Sequence, residues 1–344
     1  MRITFLSPHV RVAGGVRAIL SYADRLAARG HEVTVLVPAR RSWRAWWRNV
    51  RAAGPDWVDG FRPRVRWVAR LDATALPPGD VVVATAWQTA PVAAAVPARC
   101  GAGVYLIQHY ESLYHGAPEQ VDATYRLPLA RIVISTWLRD VMRQRFGGEA
   151  EVLVTPVDRA LFHPVPVAVA TPRPRVLMLH HHYAWKGVAD GVEAVALARR
   201  AVPSLVLVGF GLRPPRGAMP YDEFHADPPQ QRLREIYSSC DVYLCPAWDE
   251  GLGMPAMEAM ACGAALVTYD NGGCRDYAHD GETALVAPRR NVADLAARLA
   301  CLAEDAALRE KIASAGRALV TRAFDWERAV DRMESLLRQA AARG

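Results

Sequence analysis

The chain has 344 residues, a little over twice the length of a typical domain of about 150 residues, so two domains are expected. Its apolar fraction of 51% and charged fraction of 22% exclude a disordered chain. No uncharged apolar stretch approaches the ~20 residues of a spanning helix, and residues 1–30 lack the basic start and apolar block of a signal peptide. Six cysteines without a C-x-x-C pair indicate neither a disulfide framework nor a zinc ribbon, so the reducing cytoplasm is the expected location.

The net charge of +7 is unevenly distributed. Residues 1–70 hold 14 arginines and 4 acidic residues, a net charge of +10, whereas the remainder of the chain carries −3. Such a basic segment is typical of a surface that faces an anionic partner. Only two of the 42 basic residues are lysines, Lys186 and Lys311.

Hydrophobic patterning predicts an α/β chain in which strands and helices alternate. Residues 2–6 predict a strand, the run SPHVRVAGGV a loop, and the apolar spacing up to Gly30 a helix before a strand at 32–37. Four more strands are predicted in an N-terminal domain of residues 1–156: 81–85, 104–108, 131–135 and 151–155. This alternation indicates a parallel sheet with helices on both faces.

A second domain of the same type is predicted after a proline-rich linker at 157–174. The C-terminal domain, residues 175–318, has five predicted strands: 175–179, 205–209, 242–245, 265–268 and 284–286. Residues 319–344 predict a closing helix. The expected architecture is therefore two Rossmann-like domains that face each other across a cleft.

The densest group of candidate site residues lies in the segment WDEGLGMPAMEAMACG, which follows a predicted strand. Glu250 and Glu258 stand eight positions apart, with Gly251 and Gly253 between them, and Pro255 suits the first turn of a helix. A glycine-bearing turn and a helix N-terminus at the carboxyl end of a parallel strand favour binding of a phosphate. The structural alternative is a capping acid followed by an ordinary exposed helix glutamate.

This segment resembles the C-terminal donor site of the retaining GT4 glycosyltransferases, the group 1 family with the GT-B fold. The resemblance covers most of the chain and includes further elements: Gly14 and Gly15, Lys186 and Gly187, Gly272 and Gly273, and the run Phe324 to Glu327. It implies that the closing helix packs on the N-terminal domain. The runs QHYES and DNGGCRDY most resemble the rhamnosyltransferase-like branch, which hints at a dTDP- or GDP-deoxyhexose donor.

The resemblance also implies roles for individual residues. Lys186 would bind the donor diphosphate, Glu250 the hydroxyls of the donor sugar and Glu258 the nucleotide ribose. The implied catalytic residues are His109, Lys186 and Glu250. Further donor contacts are implied at Gly14, Gly15, Gly209, Gly251, Leu252, Gly253 and Met254. The structural alternatives are a plain loop turn at the N-terminal glycines and a lone lysine at a helix start.

The chain departs from the family pattern at His180, where an arginine commonly completes the phosphate clamp. Either a neutral His180 donates a hydrogen bond, or Arg275 or Arg17 supplies the missing charge. Consecutive side chains at a strand end point in different directions, so the run from His180 to His182 predicts no metal site. The family is generally metal-independent, and no cofactor is expected beyond the donor itself.

Acceptor-side candidates follow two strands of the N-terminal domain. Gln108 and His109 come at the end of one strand, where related enzymes carry a His or Asp near the reacting centre, and His109 is expected to orient the acceptor hydroxyl. Trp87 suits the face of a sugar ring, and Arg17 is assigned to the same side. The alternatives are a structural histidine with a backbone partner and a tryptophan that packs in the core.

The run GlyPheGly at 209–211 resembles a dinucleotide fingerprint but lacks the third glycine and the following acid. A hydride-transfer enzyme is therefore not expected. The run is predicted instead to form the loop beside the nucleotide base, directly after the strand at 205–209.

The basic stretch at 38–54 predicts an amphipathic helix. Trp43, Trp46, Trp47 and Val50 fall on one face, and four arginines fall on another: Arg41, Arg44, Arg48 and Arg51. Indoles with arginines suit a bilayer interface that contains anionic lipid, so peripheral membrane contact is predicted from Arg40 to Arg51. The alternative is a helix that packs its tryptophans on the domain. Nucleic acid is not expected, because no recognised reader motif is present.

The sequence thus predicts a glycosyltransferase that moves a hexosyl or deoxyhexosyl group from a nucleotide-diphosphate sugar to an acceptor hydroxyl, with retention and without a metal. The acceptor would be lipid-linked, a glycan or a small molecule, met in the cytoplasm or at the inner face of the membrane. One alternative is a non-hydrolysing sugar-nucleotide epimerase of the same fold. Another is a non-catalytic membrane- or polyanion-binding protein, against which Lys186, Glu250 and Glu258 argue.

Overall fold

The computed structural model of the chain describes residues 1–11, 14–39, 42–51, 54–55, 58, 60–169 and 174–343. The chain divides into two compact units. Unit 1 comprises Met1–Thr155 together with Glu327–Gly344, and unit 2 comprises Pro156–Trp326.

Unit 1 is built on a parallel sheet with seven strands among the described residues, in the order β3-β2-β1-β4-β5-β6-β7. Its strands are β1 Arg2–Leu6, β2 Glu32–Pro38, β3 Arg64–Val68, β4 Val81–Ala84, β5 Ala102–Ile107, β6 Ala130–Val133 and β7 Glu151–Val152. The helices of its N-terminal part are α1 Gly14–Ala28, α2 Ser42–Val50, α3 Ala90–Ala94, α4 Pro118–Tyr125 and α5 Thr136–Phe146.

Unit 2 is built on a second parallel sheet, which has six strands in the described part, in the order β10-β9-β8-β11-β12-β13. Its strands are β8 Arg175–Leu179, β9 Val206–Gly211, β10 Glu223–Ala226, β11 Val242–Cys245, β12 Ala265–Tyr269 and β13 Leu285–Ala287. Its helices are α6 Val188–Ala198, α7 Gln230–Ser238, α8 Met254–Ala261, α9 Val292–Glu304 and α10 Ala306–Arg322. The prediction of two Rossmann-like α/β domains is confirmed by these two sheets.

The predicted closing helix at 319–344 is wrong as a single element. Residue 319 lies inside α10, which ends at Arg322, and a separate helix, α11, spans Trp326–Ala341. α11 is held in unit 1 by acidic residues that face the end of α1: Arg29 pairs with Glu327 at 2.8 Å and with Asp331 at 2.5 Å.

The sequence did not predict two of the described strands, β3 and β10. Both lie at sheet edges. β3 has the sequence Arg-Val-Arg-Trp-Val and β10 the sequence Glu-Phe-His-Ala, and both are partly exposed. An edge strand faces water on one side, so it lacks the continuous apolar run that identifies the central strands.

Candidate active site

The candidate site of unit 2 lies where the strand order reverses. β8 and β11 are neighbours in the sheet, and β9 and β12 lie on their outer sides, so the connections that leave β8 and β11 diverge to opposite sides. Ligands of open α/β sheets bind at the carboxyl ends of the strands beside such a point. The connection after β8 carries Lys186, and the connection after β11 carries Glu250.

Lys186 and Glu250 form an ion pair, with 2.6 Å between Nζ and Oε1. The two side chains are 20% and 11% exposed, respectively. Gly187, which follows the lysine, has φ +63°, and a Cβ there would lie 1.9 Å from the carbonyl oxygen of Pro246. Only glycine lets the two connections approach this closely, and that approach brings the lysine to the glutamate.

The Glu250 backbone is held by the connection that follows β12. The Glu250 amide donates to the Asn271 carbonyl at 3.0 Å, and the Gly273 amide donates to the Glu250 carbonyl at 3.2 Å. A Cβ on Gly273 would lie 2.6 Å from the carbonyl carbon of Gly251. Asn271, which is 1% exposed, was not among the predicted residues, although the run DNGG that contains it was noted.

The N-terminus of α8 lies beside this ion pair. Gly253 precedes the helix with φ +94°, and a Cβ there would lie 2.4 Å from the Tyr277 hydroxyl oxygen. Lys186, Glu250 and Gly253 line one cavity, and Pro255 in the first turn of α8 contributes to its wall. A lysine ammonium and the positive end of a helix dipole close to each other favour an anionic ligand.

The other predicted residues of this segment differ in their exposure. Gly251 and Leu252 are buried, and Met254 is partly exposed.

Glu258 is buried, so the alternative of an ordinary exposed helix glutamate is wrong. It is 2% exposed, and its Oε2 accepts a hydrogen bond from the Tyr237 hydroxyl at 3.1 Å. The physical reason is that α8 packs against α7 and α10 as well as against β11 and β12, so its last two turns have no solvent-facing side.

The loop prediction for the run at 209–211 is also wrong, because β9 continues to Gly211. Gly209 lies within β9, paired with Phe224 of β10. A Cβ there would lie 2.5 Å from Cδ1 of Tyr221, so glycine is needed for the Tyr221 ring to pack on the strand.

His180 occupies the position of the expected clamp arginine at the end of β8. Its Nδ1 lies 3.0 Å from the Tyr221 hydroxyl oxygen, and burial, with a smaller effect of His182, lowers its pKa. The pKa of His181 is lowered to about 4, first by burial and then by the charge of Lys186. Arg275 binds Asp270 through two contacts of 2.8 Å, and Arg17 lies in unit 1.

In unit 1 the two glycines predicted to lie in a loop belong instead to the first turn of α1, close to one acceptor-side residue. Gly14 and Gly15 begin α1, after β1, and a Cβ on Gly15 would lie 3.3 Å from Oε1 of Gln108, which follows β5. Arg17 lies in the first turn of the same helix and is partly exposed. These positions flank the β1 and β4 carboxyl ends, where the strand order of this sheet reverses.

Trp87 and His109 follow β4 and β5 and are both partly exposed. The His109 carbonyl accepts from the Tyr125 hydroxyl at 3.3 Å, and its ring meets the Tyr114 ring edge-on at 6.1 Å. The Trp87 amide donates to the Glu111 carboxylate at 2.9 Å. The sequence did not predict a role for Glu111, although it lies in the run QHYES, two positions after His109.

The tryptophans of α2 are exposed, so the alternative that they pack on the domain is wrong. Trp43, Trp46 and Trp47 are 53%, 58% and 46% exposed. The opposite side of α2 packs on β3: the Asn49 amide group exchanges two hydrogen bonds of 2.8 Å with the Trp67 backbone.

Three of the predicted arginines, Arg44, Arg48 and Arg51, are exposed, and each lies near a tryptophan ring. Arg48 lies over the Trp67 ring at 4.1 Å, and Arg44 lies 5.2 Å from the Trp43 ring. The predicted residues Arg40 and Arg41 lie outside the described part of the chain.

The described residues include neither a membrane-spanning helix nor a cluster of metal-binding side chains. No helix there has the length and apolar content needed to cross a bilayer. No group of three or more His, Cys, Asp or Glu side chains there is placed to hold a metal ion.

Comparison with known proteins gives one family match and several relatives. Residues 163–319 match the family model described as "Glycosyl transferases group 1". The O-antigen biosynthesis protein RfbC of Myxococcus xanthus is 29% identical over 278 residues, which are 78% of this chain and 22% of that protein. The chain therefore spans less than a quarter of the length of this relative.

Solved structures match across the whole chain at low identity. Sucrose-phosphate synthase from Thermosynechococcus elongatus superposes with a TM-score of 0.78 at 19% identity and covers 100% of both chains. The Anabaena protein HepE, in complex with UDP, superposes with a TM-score of 0.78 at 17% identity and covers 98% of this chain and 100% of that one. The chain thus has the GT-B type of fold, with two Rossmann-like α/β units, and its C-terminal unit carries the group 1 glycosyl transferase match.

Proposed function

We propose that the chain is a glycosyltransferase that moves a hexosyl or deoxyhexosyl group from a nucleotide-diphosphate sugar to an acceptor hydroxyl, with retention. The observation that carries the proposal is the Lys186–Glu250 ion pair beside the N-terminus of α8, within the region that matches the group 1 glycosyl transferase model. A relative named for O-antigen biosynthesis and a structural neighbour in complex with UDP support it.

In this mechanism unit 2 stabilises the diphosphate leaving group. The Lys186 ammonium and the positive end of the α8 dipole offset the negative charge that develops as the bond to the sugar breaks. Glu250, already desolvated and held in place by its backbone, accepts hydrogen bonds from the donor sugar. Because Lys186 and α8 supply the positive charge, the mechanism needs no metal and no cofactor.

On the acceptor side, His109 orients the attacking hydroxyl and Trp87 contacts a sugar ring, with Gln108 and Arg17 beside them. The acceptor is lipid-linked, a glycan or a small molecule. For the donor we favour a UDP-sugar or a deoxyhexose nucleotide.

We also propose that α2 attaches the protein to the cytoplasmic face of a membrane, where a lipid-linked acceptor is found. The three exposed tryptophans would insert at the interface. Each arginine near an anionic surface contributes about 1 kcal/mol, enough in combination for reversible attachment.

The test of the function is a thermal-shift screen with UDP-, GDP-, dTDP- and ADP-sugars, followed by product analysis. A ligand present at 100 times its Kd stabilises the folded protein by ~2.7 kcal/mol, so selective stabilisation would identify the donor. Transfer that requires an added acceptor supports the glycosyltransferase. Conversion of the donor alone to an isomer would support the epimerase, and absence of any nucleotide effect would contradict both.

A further inference from the structure

Glu111 of unit 1 is a partly buried carboxylate that none of the proposed roles uses. Glu111 begins a short 3₁₀ turn, Glu111–Leu113, just after the strand end that carries Gln108 and His109. Burying a carboxylate is unfavourable unless hydrogen bonds compensate for the lost water. The contacts of Glu111 therefore indicate what it does.

The first contact of Glu111 is with the turn that follows β4. Its Oε2 accepts from the Trp87 amide at 2.9 Å. The preceding two amides of that turn, those of Thr85 and Ala86, donate to the Thr89 hydroxyl at 3.0 and 3.1 Å. Thr89 thus fixes the start of the turn, and Glu111 fixes the backbone of Trp87.

The second set of contacts links Glu111 to His109. The Glu111 amide donates to the Tyr125 hydroxyl at 2.9 Å, and this hydroxyl donates to the His109 carbonyl at 3.3 Å. The Tyr125 ring stacks on the Tyr105 ring, with 5.9 Å between centroids. Because Tyr105 belongs to β5 and Tyr125 to α4, the position of Glu111 is fixed against two regular elements.

The segment after Glu111 also contacts the indole. A Cβ on Gly116, which has φ +76°, would lie 2.8 Å from Cζ2 of Trp87. The Trp87 backbone and ring are therefore both set by the segment from Glu111 to Gly116.

We propose that Glu111 is a positioning residue, which fixes Trp87 and His109 relative to each other through its hydrogen bonds to the two segments that carry them. The proposal rests on the proposed glycosyltransferase function, in which these two residues face the acceptor. Glu111 itself acts through its neighbours and not by contact with the acceptor.

The charge of Glu111 is expected to matter near neutral pH. Burial raises its pKa to about 7, although the Trp87 amide and the Tyr105 hydroxyl act to lower it. The hydroxyls that face it, Tyr105 from β5 and Tyr125 from α4, have pKa values raised by burial and stay neutral there. As pH falls through about 7 the carboxylate is protonated and becomes a weaker acceptor, so the Trp87 turn is expected to loosen.

The experiment follows the Trp87 ring directly, in protein labelled with 5-fluorotryptophan. The ¹⁹F signal of Trp87 is assigned by its absence in Trp87→Phe. In the unsubstituted protein it is expected to titrate with a midpoint near pH 7. In Glu111→Gln, which keeps an acceptor oxygen but cannot ionise, this titration is expected to disappear. The matched control is Glu119→Gln, an exposed glutamate of α4, which should titrate as the unsubstituted protein does.

A second measurement uses the unsubstituted protein, so it does not depend on whether a variant folds. In protein labelled with [5-¹³C]glutamate, one carboxyl is expected to titrate with the same midpoint as the Trp87 signal. A Trp87 signal that does not change with pH would overturn the proposal. So would the same titration in Glu111→Gln, since His109 or His115 would then be its source.

These outcomes are distinct from a failure of the proposed function. Nucleotide stabilisation in the thermal-shift screen depends on unit 2 and is expected to be equal in Glu111→Gln and the unsubstituted protein. If nucleotides stabilised neither protein, the donor assignment would be contradicted. The Trp87 titration would still test the role of Glu111.

Discussion

The two lysines of the chain differ in their surroundings and form a matched pair for mutation. Lys186 is paired with Glu250 and mostly buried, whereas Lys311 is exposed on α10. Lys186→Ala is expected to weaken nucleotide-sugar binding and turnover more than tenfold, which is a loss of about 1.4 kcal/mol or more of binding free energy.

Isothermal titration calorimetry with the donor from the thermal-shift screen measures this effect. Circular dichroism checks that the variant is folded. Lys311→Ala should bind like the unsubstituted protein. Near-native affinity of a folded Lys186→Ala protein would remove this lysine from the donor site.

Glu258 is predicted to bind the nucleotide ribose, and the structure shows that its side chain is buried. Glu258→Ala removes the acceptor of the Tyr237 hydroxyl and is now expected to cost about 1–3 kcal/mol of unfolding free energy, in addition to a more than tenfold loss of nucleotide binding. Tyr237→Phe removes the same hydrogen bond and keeps the carboxylate. Urea denaturation should show both variants destabilised, while titration shows weakened nucleotide binding only for Glu258→Ala. If Glu258→Ala and Tyr237→Phe weakened nucleotide binding equally, Glu258 would have a packing role only.

At the scale of one element, α2 is anchored on one side and exposed on the other. We expect the protein to co-sediment with vesicles that contain phosphatidylglycerol and not with pure phosphatidylcholine vesicles, because the arginines require anionic lipid. Added salt should weaken the binding, since it screens exposed charges. Replacement of Trp43, Trp46 and Trp47 by alanine should abolish it.

The control for this helix lies in unit 2. Leu212 and Met219 are 61% and 51% exposed, and their double alanine variant removes exposed apolar surface elsewhere. It should bind vesicles as the unsubstituted protein does. Recovery of the unsubstituted protein in the supernatant with both kinds of vesicle would mean that α2 serves a soluble acceptor instead.

The bounds of some elements could be predicted from the sequence, and those of others could not. β8 and β11 were predicted with their observed ends, because buried parallel strands read as short apolar runs between loop residues. The break between α10 and α11 was not predicted. Alanine, leucine and arginine continue at helical spacing on both sides of it, and the change of partner from unit 2 to unit 1 is not visible in that pattern.

For the whole molecule, donor binding is expected to leave a defined pattern of hydrogen exchange. Peptides that cover residues 180–187 and 246–257 of unit 2 should exchange more slowly with the nucleotide sugar bound. Slower exchange is also expected at Gly14 and Gly15, where a donor contact is predicted, and no change is expected in α2.

Mass spectrometry of the exchanged protein gives this pattern directly. α2 serves as the internal reference, since it carries no predicted donor contact. Protection confined to 180–187 and 246–257 would limit the donor site to unit 2. Absence of protection at Lys186 in the presence of a stabilising nucleotide would place that nucleotide elsewhere.

The sequence by itself determined the described strands other than the edge strands β3 and β10, and which residues follow them. Apolar runs ending in glycine and polar residues are local features, so Lys186 after one strand and Glu250 after another could be singled out without a structure. Their spacing and glycine content also indicated an anion site, because a helix N-terminus after a glycine turn has the same local chemistry wherever it occurs.

Only the tertiary structure decided what these residues contact. The order β9-β8-β11-β12 brings Lys186 to Glu250, α7 and α10 bury Glu258, and the packing of α2 on β3 exposes its tryptophans. The hydrogen bond from Trp87 to Glu111 joins residues 24 positions apart in sequence. The physical reason is that burial and hydrogen bonding depend on neighbours supplied by distant parts of the chain, which a local pattern does not contain.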